Sequence, residues 1–156
     1  MDMHIEFHTK SGGHDDLRLT LSDMDLNVTA DSYYLYLAAQ DKVRQVGETD
    51  ITDVLIAVLG HWIDALEHSG PTDSLCLPFA FYDQGIGCFQ AQRDWEMVVL
   101  QYGFTCKEGW SVAPLNLGSF CTDVTDFVPT SAQTMRQSLG DLCAGIRHTM
   151  AAIQIV

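Results

Sequence analysis

The sequence predicts one α+β domain spanning residues 1–156, in which an antiparallel sheet built from two meanders packs against two amphipathic helices. Three observations predict this fold. The chain has 156 residues, 47% of them hydrophobic, which is enough to bury a core without metal or disulfides. Apolar residues alternate with polar ones in the first third and in the middle of the chain. They recur every three or four residues after Asp50 and after Thr130, as in helices.

The first meander is predicted from period-two alternation. Ile5 and Phe7 share one face of the first segment, and Leu17, Leu19 and Leu21 share one face of the second. Such alternation is typical of half-buried strands. A turn is predicted at residues 11–16, because Gly, Ser and Asp cluster there. The predicted strands are residues 4–8, 17–22, 26–30 and 33–37.

A helix is predicted from Asp50 to residue 68. Asp50 is a suitable N-cap, and Asp53 lies in the first turn, where a negative charge meets the positive end of the helix dipole. Gly70 and Pro71 end the helix. Its apolar face includes Trp62 and must pack on a large apolar surface, which only the sheet provides.

The second meander follows, at predicted strands 75–81, 86–92, 95–104 and 110–117. Pro78 predicts an edge position or a bulge in the first of these, since it cannot donate a ladder hydrogen bond. Residues 118–129 are irregular. A closing helix is predicted from Thr130, because Thr130 and Gln133 have the spacing of a capping box. Its predicted core stripe is Ala132, Met135, Leu139, Leu142, Ile146 and Ile153.

The charge balance restricts the possible ligands. The chain has 8 Lys and Arg against 21 Asp and Glu, a formal net charge of −13. A nucleic-acid site replaces counterions with cations, and an anionic membrane surface attracts cations, so neither partner is expected. The N-terminus lacks the basic and apolar regions of a secretory signal, and the apolar segments 54–63 and 74–82 are too short to span a bilayer. We therefore expect a cytoplasmic protein.

Five cysteines are widely spaced and include no Cys-x-x-Cys pair. In a cytoplasmic chain this pattern predicts reduced cysteines, most of them buried as small apolar side chains.

Two groups of residues are candidate metal ligands, although we predict no cofactor. His4, Glu6 and His8 share one face of the first predicted strand. His61, Asp64 and His68 lie at helical spacing on the polar face of the first helix. Each set is also typical of an ordinary solvated face, and the helix lacks the His-Glu-x-x-His pattern of metalloproteases. A metal-dependent enzyme or small-ligand-binding protein using either group is the alternative function.

No catalytic residue is predicted. The chain has no Gly-x-Ser-x-Gly elbow, and the short glycine pattern at Gly85 and Gly87 matches neither a phosphate loop nor a dinucleotide fingerprint. The chain is therefore expected to be a non-enzymatic protein.

Acidic residues near turns, with neighbouring aromatics, are the candidate contacts for a basic protein partner. A negative surface accelerates encounter with a basic protein, and aromatic side chains anchor interfaces. Solubility alone is the competing explanation of the acidity, and a structural or scaffold subunit is a third possibility. The candidate contact residues are Asp15, Asp16, Asp23, Asp25, Asp94, Trp95 and Glu96.

The order of these elements, with the aromatic segment 33–37, Trp62 in the first helix, the strand after Asp94 and the helix from Thr130, resembles the small acidic immunity proteins of bacterial polymorphic-toxin and contact-dependent growth inhibition systems. The resemblance implies a cytoplasmic protein that binds a cognate toxin domain, often a basic nuclease, and masks its active site or substrate path. It is one of size, charge and element order, and it transfers no binding residue.

Overall fold

The α+β fold consists of two sheets and the helices packed against them. A computed structural model describes residues 1–8, 14–35, 37, 50–114, 116–117 and 119–155. In chain order, the elements used below are β1 (Met3–Phe7), β2 (Leu17–Leu21), β3 (Leu26–Ala30), α1 (Ile51–His68), β4 (Ser74–Tyr82), β5 (Gly85–Asp94), β6 (Met97–Thr105), α2 (Phe120–Asp123), β7 (Val128–Ser138), α3 (Leu139–Ala151) and β8 (Gln154–Ile155). Within these ranges the strand orders are β3-β2-β1-β8 and β4-β5-β6-β7.

The first sheet follows the predicted alternation. β1, β2 and β3 form an antiparallel meander in which Met3 lies opposite Leu21 and Phe7 opposite Leu17. Ile5 is buried on the inner face. β8 adds a parallel pair beside β1, with Phe7 opposite Ile155. The sequence offered no signal for this pair, because its two strands lie at opposite ends of the chain.

Helix α1 confirms the prediction from Asp50 to residue 68. The Asp50 carboxylate accepts the N–H of Thr52 at 3.1 Å, which satisfies one of the free amides of the first turn. Trp62 is buried against the second sheet, as its apolar face required. Its indole N–H donates to the Pro78 carbonyl at 2.9 Å, and its ring meets that of Phe89 edge to face, with centroids 5.7 Å apart.

The second sheet is antiparallel throughout. β4 is an edge strand, and its register with β5 shifts between Pro78 and Ala80, so Pro78 meets both expectations for it. The inner face of β6 carries Val98, Leu100 and Tyr102, all buried. The core joins this face to the first sheet and to α1 and α3.

The predicted strand 33–37 is wrong, because residues 32–35 and 37 are helical. The main-chain N–H of Ser32 donates to Asp16 Oδ1 at 2.8 Å, and its hydroxyl donates to Asp16 Oδ2 at 2.6 Å. A carboxylate that accepts the first amide of a turn favours helix over strand. Alternating Tyr and Leu residues fit either state in a segment this short.

The predicted strand 110–117 is also wrong. A 3-10 turn spans Gly109–Ser111, and further turns follow: the Val112 N–H donates to the Gly109 carbonyl, and that of Asn116 to Ala113. The fourth position of the second sheet belongs to β7 instead. Residues 118–129, expected to be irregular, contain the short helix α2, which buries Phe120 and Cys121.

The N-cap of the final helix lies eight residues later than predicted, at Ser138 instead of Thr130. Thr130 and Gln133 lie in β7, which pairs with β6, and α3 begins after Ser138. The Ser138 hydroxyl oxygen accepts the Asp141 N–H at 3.1 Å and its hydroxyl donates to Asp141 Oδ2 at 2.7 Å. The N-cap is therefore Ser138, and pairing with β6 decides the conformation of the preceding residues.

Four of the five cysteines are buried, as predicted: Cys76, Cys88, Cys121 and Cys143, with Cys106 exposed. Burial raises the pKa of the Cys121 thiol to about 12, and the thiol of Cys88 donates to Cys76 Sγ at 3.6 Å, which with burial raises its pKa. Thiols held neutral in this way are poor nucleophiles.

Within the part of the chain that the structure describes, no helix has the length and apolar character needed to cross a membrane.

Asp126 fixes the loop between α2 and β7. Its carboxylate accepts the hydroxyl of Thr105 at 2.5 Å and the N–H of Cys106 at 2.9 Å. Both hydrogen bonds favour the charged carboxylate, so they lower the pKa of Asp126.

Replacing Ser138 by Ala should reduce the free energy of unfolding by about 1 kcal/mol, because α3 loses its N-cap. The matched change Thr130→Ala should alter it by less than about 0.5 kcal/mol, since Thr130 is exposed on a strand. Urea unfolding followed by circular dichroism measures both. A larger loss for Thr130→Ala than for Ser138→Ala would mean that the helix begins at Thr130.

Replacing Asp126 by Asn should make the free energy of unfolding depend less on pH in the acidic range. A carboxyl with a lowered pKa stabilises the fold above its unfolded pKa, near 4, and loses that contribution as pH falls through the folded pKa. The advantage of the wild type over Asp126→Asn should therefore be largest at neutral pH and shrink as pH falls below about 4. Thermal unfolding at several pH values tests this, with exposed Asp123→Asn as the control.

Candidate functional site

The seven predicted contact residues occupy three places in the fold. Asp15 and Asp16 precede β2, whereas Asp23 and Asp25 follow it. Because a strand of five residues is about 17 Å long, these two pairs lie at opposite ends of the first sheet. Asp94, Trp95 and Glu96 lie at the connection between β5 and β6 in the second sheet. We call this last group the Trp95 turn.

Asp16 is used inside the protein. It is 1% exposed, and both carboxylate oxygens accept hydrogen bonds from Ser32. Asp15, its neighbour, is exposed and has a positive φ of 50°, which Asp tolerates better than most residues. Asp16 therefore supports the conformation of the segment that presents Asp15.

The side chain of Asp31 organises the surface around Asp15. Its oxygens accept the Asp15 N–H at 2.6 Å and contact His14 Nδ1 at 3.2 Å. The His14 ring lies 5.7 Å from that of Tyr33, which meets Tyr34 edge to face at 5.3 Å. An acidic and aromatic cluster thus forms at this end of the first sheet, which we call the Asp31 end.

Asp83 completes the Asp31 end from the second sheet. The Asp83 carboxylate lies near the Tyr34 hydroxyl and favours its protonated form through hydrogen bonding and negative charge, which raises the pKa of Tyr34. The Tyr82 hydroxyl donates to the Thr29 carbonyl at 2.8 Å, which links β4 to β3. No sequence pattern singled out Asp83, because the approach of the two sheets places it beside Tyr34.

Asp23 and Asp25 lie in and after the 3-10 turn Ser22–Met24. Asp23 Oδ2 accepts the N–H of Asp2 at 3.1 Å, and Asp25 has a positive φ of 48°. Both acids are exposed. The turn contacts β7, so these two charges lie where the first sheet meets the second.

The Trp95 turn is a hairpin connection of two residues, Trp95 and Glu96, because Asp94 lies opposite Met97 in the strand register. Trp95 has a positive φ of 56° and is 69% exposed. The Asp94 carboxylate pairs with Arg136 of β7 at 2.8 Å. Hairpins of this length favour Gly, Asn or Asp at a positive φ, so an exposed Trp there is unusual.

Arg93, which no sequence pattern singled out, holds the Trp95 turn in place. It is 7% exposed, and its Nη1 donates to the Leu66 carbonyl at 3.1 Å and to Ser69 Oγ at 2.9 Å. Its Nε and Nη2 donate to the Trp95 carbonyl at 3.2 and 2.7 Å. The Trp95 N–H donates to the Pro71 carbonyl at 2.8 Å. The end of α1 and the turn are thereby joined through one buried cation.

The first candidate metal group forms a row of polar side chains on β1. Glu6 Oε1 lies 3.3 Å from His4 Nε2, and Glu6 Oε2 lies 3.3 Å from His8 Nε2. Arg18 lies opposite Glu6 in the strand register, and its cation opposes binding of a divalent ion. No group of three or more His, Cys, Asp or Glu residues among the described parts of the chain is arranged to hold a metal ion.

The second candidate group is not brought together. His68 Nδ1 donates to the main-chain carbonyl of Asp64 at 2.8 Å, as basic side chains near the C-terminus of a helix often do. This bond does not involve the Asp64 carboxylate. His61 is partly buried one turn earlier.

Comparison with known proteins identifies a similar fold. No protein-family model matches the chain, and no curated protein matches its sequence. Among solved structures, the chain is similar to one described as "CdiA-CT/CdiI toxin and immunity complex from Enterobacter cloacae". The match has a TM-score of 0.51 and 14% sequence identity, and it covers 87% of this chain and 86% of that chain. At this identity the similarity shows the fold alone.

Arg93→Ala should lower the free energy of unfolding by about 2–4 kcal/mol, because the Leu66 and Trp95 carbonyls each lose a charged donor. The control Arg136→Ala removes an exposed ion pair and should cost less than about 0.5 kcal/mol. Urea unfolding at neutral pH measures both. Equal effects would mean that the buried bonds of Arg93 contribute no more than the surface pair.

Proposed function

We propose that this protein is a non-enzymatic immunity protein that binds a cognate toxin domain and neutralises it by masking its active site. The observation that carries this proposal is the similarity in fold, over 87% of the chain, to a chain from a toxin and immunity complex. That structure is a complex of a toxin and an immunity protein. The chemistry of this chain must therefore distinguish the two roles.

The charge favours the immunity role. A nuclease toxin must hold phosphates with cations, and this chain has 8 Lys and Arg against 21 Asp and Glu. A protein that inhibits a basic toxin benefits from the opposite balance, because negative charge accelerates encounter with a basic surface and can occupy the place of the nucleic acid. The proposal places the protein in the bacterial cytoplasm, where a toxin directed at nucleic acid would act.

Most of the candidate contact residues are accessible to a partner in the fold. Six of the seven are exposed: Asp15, Asp23, Asp25, Asp94, Trp95 and Glu96. Asp16 is buried and acts indirectly, by holding Ser32 and the segment beside Asp15. Neither histidine group favours a metal-dependent function, for the reasons of geometry and charge given above.

The protein should form a stoichiometric complex with the toxin domain encoded beside its gene, and its co-expression should restore growth of cells that produce that domain. Association should slow by about tenfold between low and physiological salt, because screening weakens attraction between the acidic chain and a basic partner. Biolayer interferometry and growth curves measure the two effects. A lack of binding, or continued growth arrest despite binding, would contradict the proposal.

A charge-matched pair of variants tests whether position matters beyond net charge. Replacing Asp15, Asp23 and Asp25 by Asn removes three charges from the predicted contacts. Replacing Asp53, Asp64 and Asp123 by Asn removes three exposed charges elsewhere. The first variant should associate more slowly than the second. Equal association rates for the two variants would mean that the acidic residues act only through general electrostatic steering or serve solubility.

A further inference from the structure

We propose that Trp95 is a preformed anchor that inserts into an apolar pocket of the partner, and that this pocket is rimmed by Lys or Arg side chains. The inference rests on the proposed function, because the toxin domain is the partner to which it applies. It names one contact residue and the kind of pocket on the partner that would bind it. The backbone conformation of Trp95, the hydrogen bonds of its turn, its exposure and the neighbouring charges support it.

The indole of Trp95 is presented at a cost to stability. A positive φ brings Cβ close to the backbone, which is why Gly, and occasionally Asn or Asp, adopts it at little cost. Among the described residues with a positive φ other than Gly, two are Asp and the third is Trp95. Asp15 and Asp25 fit the rule and Trp95 does not. Strained residues of this kind persist where the surroundings enforce them, and they concentrate at functional sites.

The surroundings that enforce this conformation are rigid. Arg93 is buried, and it binds the Trp95 carbonyl with two donors while its other donor group binds the end of α1. The Trp95 N–H donates to the Pro71 carbonyl, and the N–H of Leu139, the first residue of α3, donates to the Glu96 carbonyl at 2.8 Å. The main chain of the turn is therefore ordered before any partner binds. Preorganisation of this kind lowers the entropic cost of association.

Trp95 is the most exposed of the large apolar side chains whose burial the structure describes. The other large apolar side chains that are exposed are Tyr33 at 45%, Leu37 at 43% and Val128 at 60%, against 69% for Trp95. Tyr33 packs on His14 and Tyr34 at the Asp31 end, so part of its ring already has a protein contact. Trp is the residue most enriched among the energetic centres of interfaces.

The charges beside Trp95 specify the partner. Asp94 and Glu96 flank it. Arg136 pairs with Asp94, and the Arg93 cation is buried and bound to carbonyls and a hydroxyl, so among the described residues the exposed charge beside the indole that has no ion pair is that of Glu96. This negative charge, on a chain of net charge −13, disfavours an anionic membrane and nucleic acid and favours a protein pocket with a cationic rim. A Trp side chain brings about 150–250 Å² to such a contact. The partner that binds Trp95 is accordingly a basic protein with an apolar pocket.

Trp95→Gly separates binding from stability. Gly accepts the positive φ, so the thermal midpoint should stay the same or rise, whereas affinity for the purified toxin domain should fall by about 30-fold or more, the loss expected for a central interface residue. Trp95→Phe keeps an aromatic ring and should recover most of that loss. Calorimetric titration and thermal unfolding of the full chain measure the two quantities.

Val128→Ala is the control, since it removes an exposed apolar side chain elsewhere on the second sheet and should leave affinity unchanged. If the wild type does not bind the toxin domain, the proposed function fails. If the wild type binds and Trp95→Gly binds equally well, the anchor is disproved and the proposed function stands. A large loss for Tyr33→Ala with no loss for Trp95→Gly would assign the interface to the Asp31 end.

Discussion

The hydrogen bonds of Arg93 are the constraint on which the candidate site depends. A buried cation requires acceptors on every donor group, because the cost of an unpaired buried charge exceeds the net gain of most single contacts. The carbonyls at the end of α1 and in the Trp95 turn provide them. The negative end of the α1 dipole also favours a cation at this place. One side chain therefore ties the largest helix to the hairpin that exposes Trp95.

Acidity has different roles at positions that look alike in the sequence. Asp15 and Asp16 are adjacent and identical, yet the first is exposed and the second is buried against Ser32. Asp126 binds the end of β6, and Asp50 and Asp141 belong to helix caps. Part of the net charge of −13 thus serves local structure, and the remainder forms the surface that a basic partner would meet.

Local patterns predicted most of the fold and about half of the candidate site. The α1 helix, its cap and the apolar face that contains Trp62 follow from residues within one segment, and so do β1 to β6 apart from their exact ends. The Thr130 to Gln133 capping pattern failed because β6 offered those residues a strand partner, and tertiary pairing overrides a weak local preference. The segment 33–37 failed for a similar reason: its helical turn is completed by Asp16, about sixteen residues earlier in the chain.

The sequence by itself determined the α+β class, the acidic balance and the choice of Trp95, with Asp94 and Glu96, as candidate contacts, because composition, alternation and turn residues are local properties. Only the tertiary structure decided that Asp16 is buried, that Asp31 and Asp83 meet Tyr34 and His14, and that Arg93 holds Trp95 at a positive φ. Each of these depends on which distant segments come into contact. That choice is made by the packing of the two sheets and the helices around a shared core, which no single segment encodes.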